Sequence, residues 1–235
     1  MDPAIAALRE PLRAGSATLG IAIDEAQLDA LLTYLDLLAR WGRVYNLTAV
    51  RTPAEMLTHH LLDSLAIIAP LRRQLGAGTR AGPARLLDVG SGAGLPGVVV
   101  ALACPDVDVT CVDTAAKKAA FVQQVAAALR LKNLRGLHAR VETLSAARGQ
   151  GFDVVASRAF ASLADFTAWS RAALAPGGVW LAMKGRAPAD EIAALPATVE
   201  VFHVEPLTVP GLEAQRCIVW MRPALHDAPV PPALT

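Results

Sequence analysis

Apolar positions along the chain follow two regimes. Leu28, Leu31, Leu32, Leu35 and Leu38 recur at the spacing of one helix face. Asp24 and Gln27 frame the start of that helix as a capping box does, and Trp41-Gly42 marks its expected end. Thr52-Pro53 then caps a second helix carrying Met56, Leu57, Leu61, Leu65 and Ile68, expected to stop at Pro70. Residues 1–20 have only a weak pattern and read as a loose helix or tail; Gly76–Pro83 reads as a linker.

Beyond the linker, short apolar runs alternate with helical stretches. Strands are expected at Arg85–Val89, Val107–Val112, Leu134–Ala139, Phe152–Ser157 and Gly177–Met183. Helices are expected at Pro96–Ala103, from a Thr114 cap to about Leu131, and at Leu163–Leu174. Val199–Val204 and Arg216–Arg222 add two strands with no clear helix between them, as in a hairpin. The pattern predicts an α/β, Rossmann-like fold: seven mostly parallel strands, helices on both faces and a helical N-terminal extension. The expected division is an extension over 1–82, a main domain over 83–223 and a Pro/Ala-rich tail over 224–235.

Composition bounds the rest. At 235 residues and 54% hydrophobic, the chain buries enough apolar surface for one full-sized core. No apolar run reaches the ~18 residues of a bilayer span. Met1-Asp2-Pro3-Ala4 carries acid where a signal peptide carries base, so a cytoplasmic protein without a membrane partner is expected. Three cysteines, Cys104, Cys111 and Cys217, lack disulfide or metal spacing, and no metal site is expected from His59-His60 and Asp63. The net charge is only +1, but residues 40–85 carry a surplus of five positive charges and residues 114–186 a surplus of eight, while 187–213 hold five acids and no Lys or Arg. A basic face toward a polyanion is therefore expected.

The most informative stretch is Asp88-Val89-Gly90-Ser91-Gly92-Ala93-Gly94-Leu95-Pro96-Gly97. A glycine-rich turn between strand and helix lets a ligand approach backbone. Gly92, Gly94 and Gly97 also satisfy the dinucleotide pattern GxGxxG. Asp88 separates the two readings. A carboxylate repels pyrophosphate, but it attracts the ammonium and sulfonium of S-adenosylmethionine (SAM), by ~4 kcal/mol at 4 Å for an effective dielectric of 20. Asp113, closing the second strand, accepts from ribose hydroxyls or serves the following helix as a cap. After the third strand, Val141 and Glu142 offer an adenine ring an apolar wall and an acceptor, and after the fourth Arg158 offers a bidentate cation.

These blocks together carry a family resemblance. Trp41 to Tyr45-Asn46-Leu47-Thr48, His60-Leu61-Leu62-Asp63-Ser64, the glycine loop, Arg140-Val141-Glu142, Ser157-Arg158-Ala159-Phe160-Ala161 and Lys184-Gly185 occur in the order seen in the bacterial small-subunit rRNA guanine-N7 methyltransferase family, also called the glucose-inhibited division protein B (GidB) family. The resemblance spans roughly Leu28 to Met221. It implies a class I SAM-dependent methyltransferase that methylates N7 of one guanine in the decoding-region loop of 16S rRNA, alone or in the 30S particle, and releases S-adenosylhomocysteine. The SAM contacts it implies are Gly90, Leu95, Val141, Glu142 and Arg158; the charge and loop arguments add Asp88, Gly92 and Asp113. Arg40, Arg43, Arg51, Lys184 and Arg186 are candidate phosphate contacts. Phe160 is a candidate stacking surface, Asn46 and His60 candidate walls of a guanine pocket, and a monomer is expected.

The acceptor chemistry agrees with the resemblance. Cytosine C5 methylation needs a cysteine nucleophile, and none of the three stands on a loop at a strand's carboxyl end. Exocyclic amine methylation calls for an Asn/Asp-Pro-Pro-aromatic turn where this chain has Ser157-Arg158-Ala159-Phe160. Ribose methylation calls for a base, an option Lys184 keeps open. Guanine N7 has a free lone pair, so no general base is assigned, and Arg158 is the one candidate catalytic side chain. The alternatives are a methyltransferase for another RNA or a small molecule, an NAD-dependent oxidoreductase reading the GxGxxG pattern, and a non-catalytic RNA-binding module.

Overall fold

A computed structural model describes residues 1–45, 47–50, 52–76, 82–146 and 151–224, the side chain of Val44 apart. The first third is helical: α1 (Pro3–Ala6), α2 (Arg9–Thr18), α3 (Glu25–Tyr45), α4 (Pro53–Met56), a π-helical turn at Leu57–Leu62, α5 (Asp63–Leu65) and α6 (Ile68–Gly76). Then come β1 (Ala84–Val89), α7 (Gly97–Ala103), β2 (Val107–Asp113), α8 (Ala116–Ala128), β3 (Leu134–His138), a 3₁₀ turn at Val141–Thr143, β4 (Phe152–Arg158), α9 (Leu163–Ser170), β5 (Leu174–Lys184), α10 (Ala189–Ala193), β6 (Val199–Leu207) and β7 (Arg216–Pro223).

The strands form one seven-stranded sheet in the order β3-β2-β1-β4-β5-β7-β6. The first five pair in parallel, and β7 runs antiparallel to β5 and β6, as the hairpin expectation required. Successive side chains point to opposite faces. Leu86, Val109, Val154, Leu181 and Ile218 enter the core shared with the N-terminal helices, α7 and α8, whereas Leu87, Val112, Val155, Trp180 and Val219 enter a second core with α9. The chain leaves β1 in one direction for β2 and β3, then returns to the other side of β1 for β4. Such a switch point opens a crevice at the carboxyl ends of the two strands, here β1 and β4.

Several expected boundaries move, each for a local reason. Residues 1–20 are not a loose tail: Asp2 caps α1 through Ala4 N, and Ile5, Leu8 and Leu12 are buried. The α3 helix passes through Gly42, because Trp41 stacks on Tyr45 one turn later (5.2 Å) and on Phe121 (5.3 Å), which outweighs a glycine cost of about 1 kcal/mol. The Thr52 capping box is present, but helix resumes at Ile68 and carries Pro70 in its first turn, where a missing N–H costs nothing. Thr114 does not cap α8: the N-cap is Ala115, with no side-chain cap, and Asp113 Oδ1 accepts from Ala115 N just ahead of the helix. The α9 helix ends at Ser170, whose Oγ accepts from the buried Trp180 Nε1 (2.9 Å), and β5 starts at Leu174. At five residues, α10 is too short to show a period.

The N-terminal helices are not separate from the sheet. Their leucines join one continuous core with Val98, Val99, Phe121 and Val122. Gln27 Nε2 donates to Leu102 O (3.0 Å), and the buried Tyr34 hydroxyl donates to Ala93 O (2.9 Å) within the glycine loop. Among the described residues no helix is long and apolar enough to cross a membrane.

Candidate functional site

The glycine loop leaves β1 at Val89 and enters α7 at Gly97. Its shape comes from two kinds of glycine. Gly92 sits at φ +58°, a left-handed backbone that other residues adopt at a cost, and a Cβ there would meet nothing within 4 Å. The loop is therefore hollow on that side, a cradle open to the crevice. Gly97 is needed for the opposite reason: a Cβ would lie 2.4 Å from Cys111 Sγ and 2.9 Å from Asp88 Oδ2.

Asp88 lies beneath this loop, fully buried, and is not on the crevice wall. The expectation that its carboxylate faces the cofactor is corrected: Oδ2 accepts from Gly97 N (2.8 Å) at the start of α7, and Oδ1 is buried without a partner. Burial raises its pKa to about 7, against the opposing pull of the Gly97 N–H and Arg158. Asp113 also supports the loop, Oδ2 accepting from Gly92 N (2.9 Å). It does line the crevice, and each oxygen keeps a second lone pair for a ligand.

The crevice has two lobes that meet at Gly90 and Ala159, of about 590 and 440 Å³, both within the range of small-molecule sites. Ala159 takes the strained left-handed φ of 53°, and the turn it makes sends Arg158 to the larger lobe and Phe160 to the smaller. The smaller lobe gathers Asp113, Val141, Glu142, Phe160 and Trp169. The larger gathers Gly92, Leu95, His60, Arg158, Lys184 and Arg216.

Asp63 organises the larger lobe. Its side chain is 3% exposed; Oδ2 accepts from Arg158 Nη1 (3.0 Å) and Oδ1 from Arg216 Nε (2.8 Å), joining β4 to β7. Arg158 Nη1 also donates to His59 O (2.8 Å), a carbonyl of the π-helical turn, an irregularity often found at functional sites. His60 Nε2 bonds Thr48 Oγ1 (2.8 Å), while Nδ1 is buried without a partner. Burial, then the Arg158 charge, lowers the His60 pKa to about 4.

These two shifts act on stability with opposite signs. Folded Asp88 keeps its proton to about pH 7, whereas an ordinary Asp ionises near 3.8, so its contribution is lost as pH rises through that window. Folded His60 stays neutral down to about 4, against an ordinary 6.5, so its contribution is lost as pH falls. Between pH 4 and 6.5 the two nearly cancel. Urea unfolding of Asp88→Asn is expected to show stability rising across that interval by about 1 kcal/mol per pH unit relative to wild type, and His60→Gln the reverse slope. Wild-type slopes in both variants would refute the assignment.

The expected phosphate contacts fare unevenly. Arg40 pairs with the buried Asp36 (2.6 Å) and Arg43 lies 3.7 Å from Asp2, both outside the two lobes. Lys184 lines the larger lobe, but its Nζ is held by Glu191 (2.8 Å). Arg186 is exposed in a neighbouring depression. Asn46 and Arg51 lie outside the described residues. Phe160 faces the smaller lobe and packs over Gly90, not against the arginines. The basic segments are partly neutralised by the acidic one, since Arg73 pairs with Glu205 and Lys184 with Glu191. Sequence reasoning missed Arg216, the anchoring role of Asp63 and the Tyr34 contact. Tyr34 had a signal only as one more core position on the α3 face, and Arg216 had none, because its partner lies 153 residues away.

The family described as rRNA small subunit methyltransferase G (GidB) matches residues 27–219. The chain is 68% identical over 216 residues to ribosomal RNA small subunit methyltransferase G of Acidovorax sp. (strain JS42), covering 90% of this chain and 94% of that one. It is 64% identical over 213 residues to the protein of the same name from Polaromonas sp. (strain JS666 / ATCC BAA-500), covering 91% and 92%. Among solved structures, TrmN from Thermus thermophilus matches with a TM-score of 0.52 at 22% identity, over 72% of this chain and 53% of that one, a likeness of fold.

Proposed function

Because this chain belongs to the rRNA small subunit methyltransferase G family, we propose that it transfers the methyl group of SAM to N7 of a guanine in 16S rRNA, releasing S-adenosylhomocysteine. The observation that carries the reading is the two-lobed crevice at the β1/β4 switch point, where a purine-suited lobe meets a cationic one at Gly90 and the hollow at Gly92 opens into the cationic lobe. When bound, SAM supplies an electrophilic methyl on a positively charged sulfur. Gly90, Gly92 and Leu95 would hold its amino-acid half on the loop side, while Asp113, Val141 and Glu142 would take the nucleoside half. The larger lobe would receive the guanine and its phosphate beside Arg158.

The chain's contribution to the chemistry is alignment and exclusion of water. On the larger wall Asp63 is committed to two arginines, Lys184 to Glu191, and the Nε2 of His60 to Thr48. A guanine N7 lone pair needs no proton removed before attack, so this acceptor, unlike a hydroxyl or an amine, asks no general base of the wall. Arg158 would orient the target and favour its anionic backbone. The 1–82 layer and the sheet domain act as one body in this reading, and the protein works as a cytoplasmic monomer on 16S rRNA or the 30S particle.

Purified protein with methyl-labelled SAM is expected to place one methyl on one guanine N7 of 16S rRNA, offered free or in 30S particles. Label in neither substrate, or label at a position other than a guanine N7, would overturn the reading.

A further inference from the structure

Among the described residues the large apolar side chains left in water are Met1, Tyr45 and Trp169. Tyr45 rests on Trp41. Trp169 is different: 40% exposed, it stands on the wall of the smaller lobe. An indole is among the largest contributors of buried apolar area, so one left open at a cavity mouth is a surface for a ligand to cover.

We propose that the adenine ring of SAM stacks on Trp169, which makes this tryptophan a cofactor-binding residue; the proposal rests on the SAM reading above. Three observations carry it. The indole is held in place before any ligand arrives. Phe160 meets it edge-on (5.8 Å, 83°), and Phe160 is itself fixed by Phe166 (6.2 Å, 75°) and by Gly90, where a Cβ would come 2.4 Å from its ring. The next residue, Ser170, accepts from the buried Trp180, so the end of α9 is tied down and little side-chain freedom remains to be lost. Second, the lobe's chemistry suits an uncharged purine nucleoside: Val141 and Phe160 give apolar walls, Asp113 and Glu142 accept from amino and hydroxyl groups, and Lys118 and Arg140 balance the two acids. Third, the surplus positive charge lies in the other lobe, where Arg158 and Arg216 share the single carboxylate of Asp63 while Lys184 is paired with Glu191, so a phosphate-bearing RNA base is drawn there and not to Trp169.

The test uses the chain's own tryptophans. Trp180 and Trp220 are buried and Trp41 is packed on Phe121, so Trp169 is the indole whose environment a ligand can change most. Adding SAM or S-adenosylhomocysteine is expected to shift and quench wild-type emission, with no such response in Trp169→Phe. Calorimetry is expected to show SAM binding about tenfold weaker in Trp169→Ala, the size of one lost base–aromatic stack, and within about threefold of wild type in Trp169→Phe. Unchanged wild-type emission at SAM saturation overturns the proposal while leaving the SAM reading standing. So does wild-type affinity in Trp169→Ala, or an emission response to 16S rRNA but not to SAM. No SAM binding by the wild type overturns both. Should Trp169→Ala fail to fold by circular dichroism, the wild-type and Trp169→Phe emission responses decide.

Discussion

Gly92→Val is expected to abolish measurable SAM binding, more than 100-fold in Kd, while the chain stays folded. The cradle at this position is empty on the protein side, so the new side chain meets no protein atom at its Cβ and projects into the space the cofactor needs. The fold bears only the left-handed backbone, roughly 1–2 kcal/mol for a residue with a Cβ. Gly97→Ala should invert this outcome. Its Cβ would press on Cys111 Sγ and Asp88 in the interior, so the first loss is stability, and binding falls because the loop is displaced. SAM calorimetry paired with thermal unfolding of both variants checks the contrast. Gly92→Val that binds SAM with wild-type affinity would show that the ligand does not cross the loop there.

Asp63→Ala is the second large effect. The carboxylate is the shared counter-ion of Arg158 and Arg216, and removing it leaves two guanidinium groups facing one another in a half-buried lobe. Deleting one partner of a buried ion pair costs about 3–5 kcal/mol; with each arginine side chain 22% exposed, solvent screening brings the expectation to roughly 2–3 kcal/mol. Urea midpoints of Asp63→Ala and Asp63→Asn check it, the amide restoring part of the loss by accepting from one arginine. A change below about 0.5 kcal/mol would mean that the two arginines are solvated independently.

The sheet was legible because its causes are local. Apolar runs at Ala84–Val89 and Val107–Asp113 separated by a glycine turn leave few alternatives to parallel strands with a helical crossover. The loop residues were legible for the same reason, since left-handed positions select glycine wherever they occur. The role of Asp88 was misread because one carboxylate satisfies two opposite designs. It can face a cationic ligand or brace a helix start from below, and only burial by the helix it braces distinguishes them. Charge was the least legible property. Counting Lys184 and Arg73 as free cations ignored Glu191 and Glu205, which the hairpin and α10 bring back across the sheet. The Asp63–Arg216 pair belongs to the same class: its two halves lie 153 residues apart, and no periodicity links them.

The hydroxyl of Tyr34 touching the Ala93 carbonyl has a consequence for how such a protein can change over time. A helical layer that shares its interior with α7 and α8 and reaches into the cofactor loop is not an interchangeable cassette. Lineages that need a different RNA grip are confined to resculpting the rim, because swapping the layer wholesale would dismantle the cofactor seat as well.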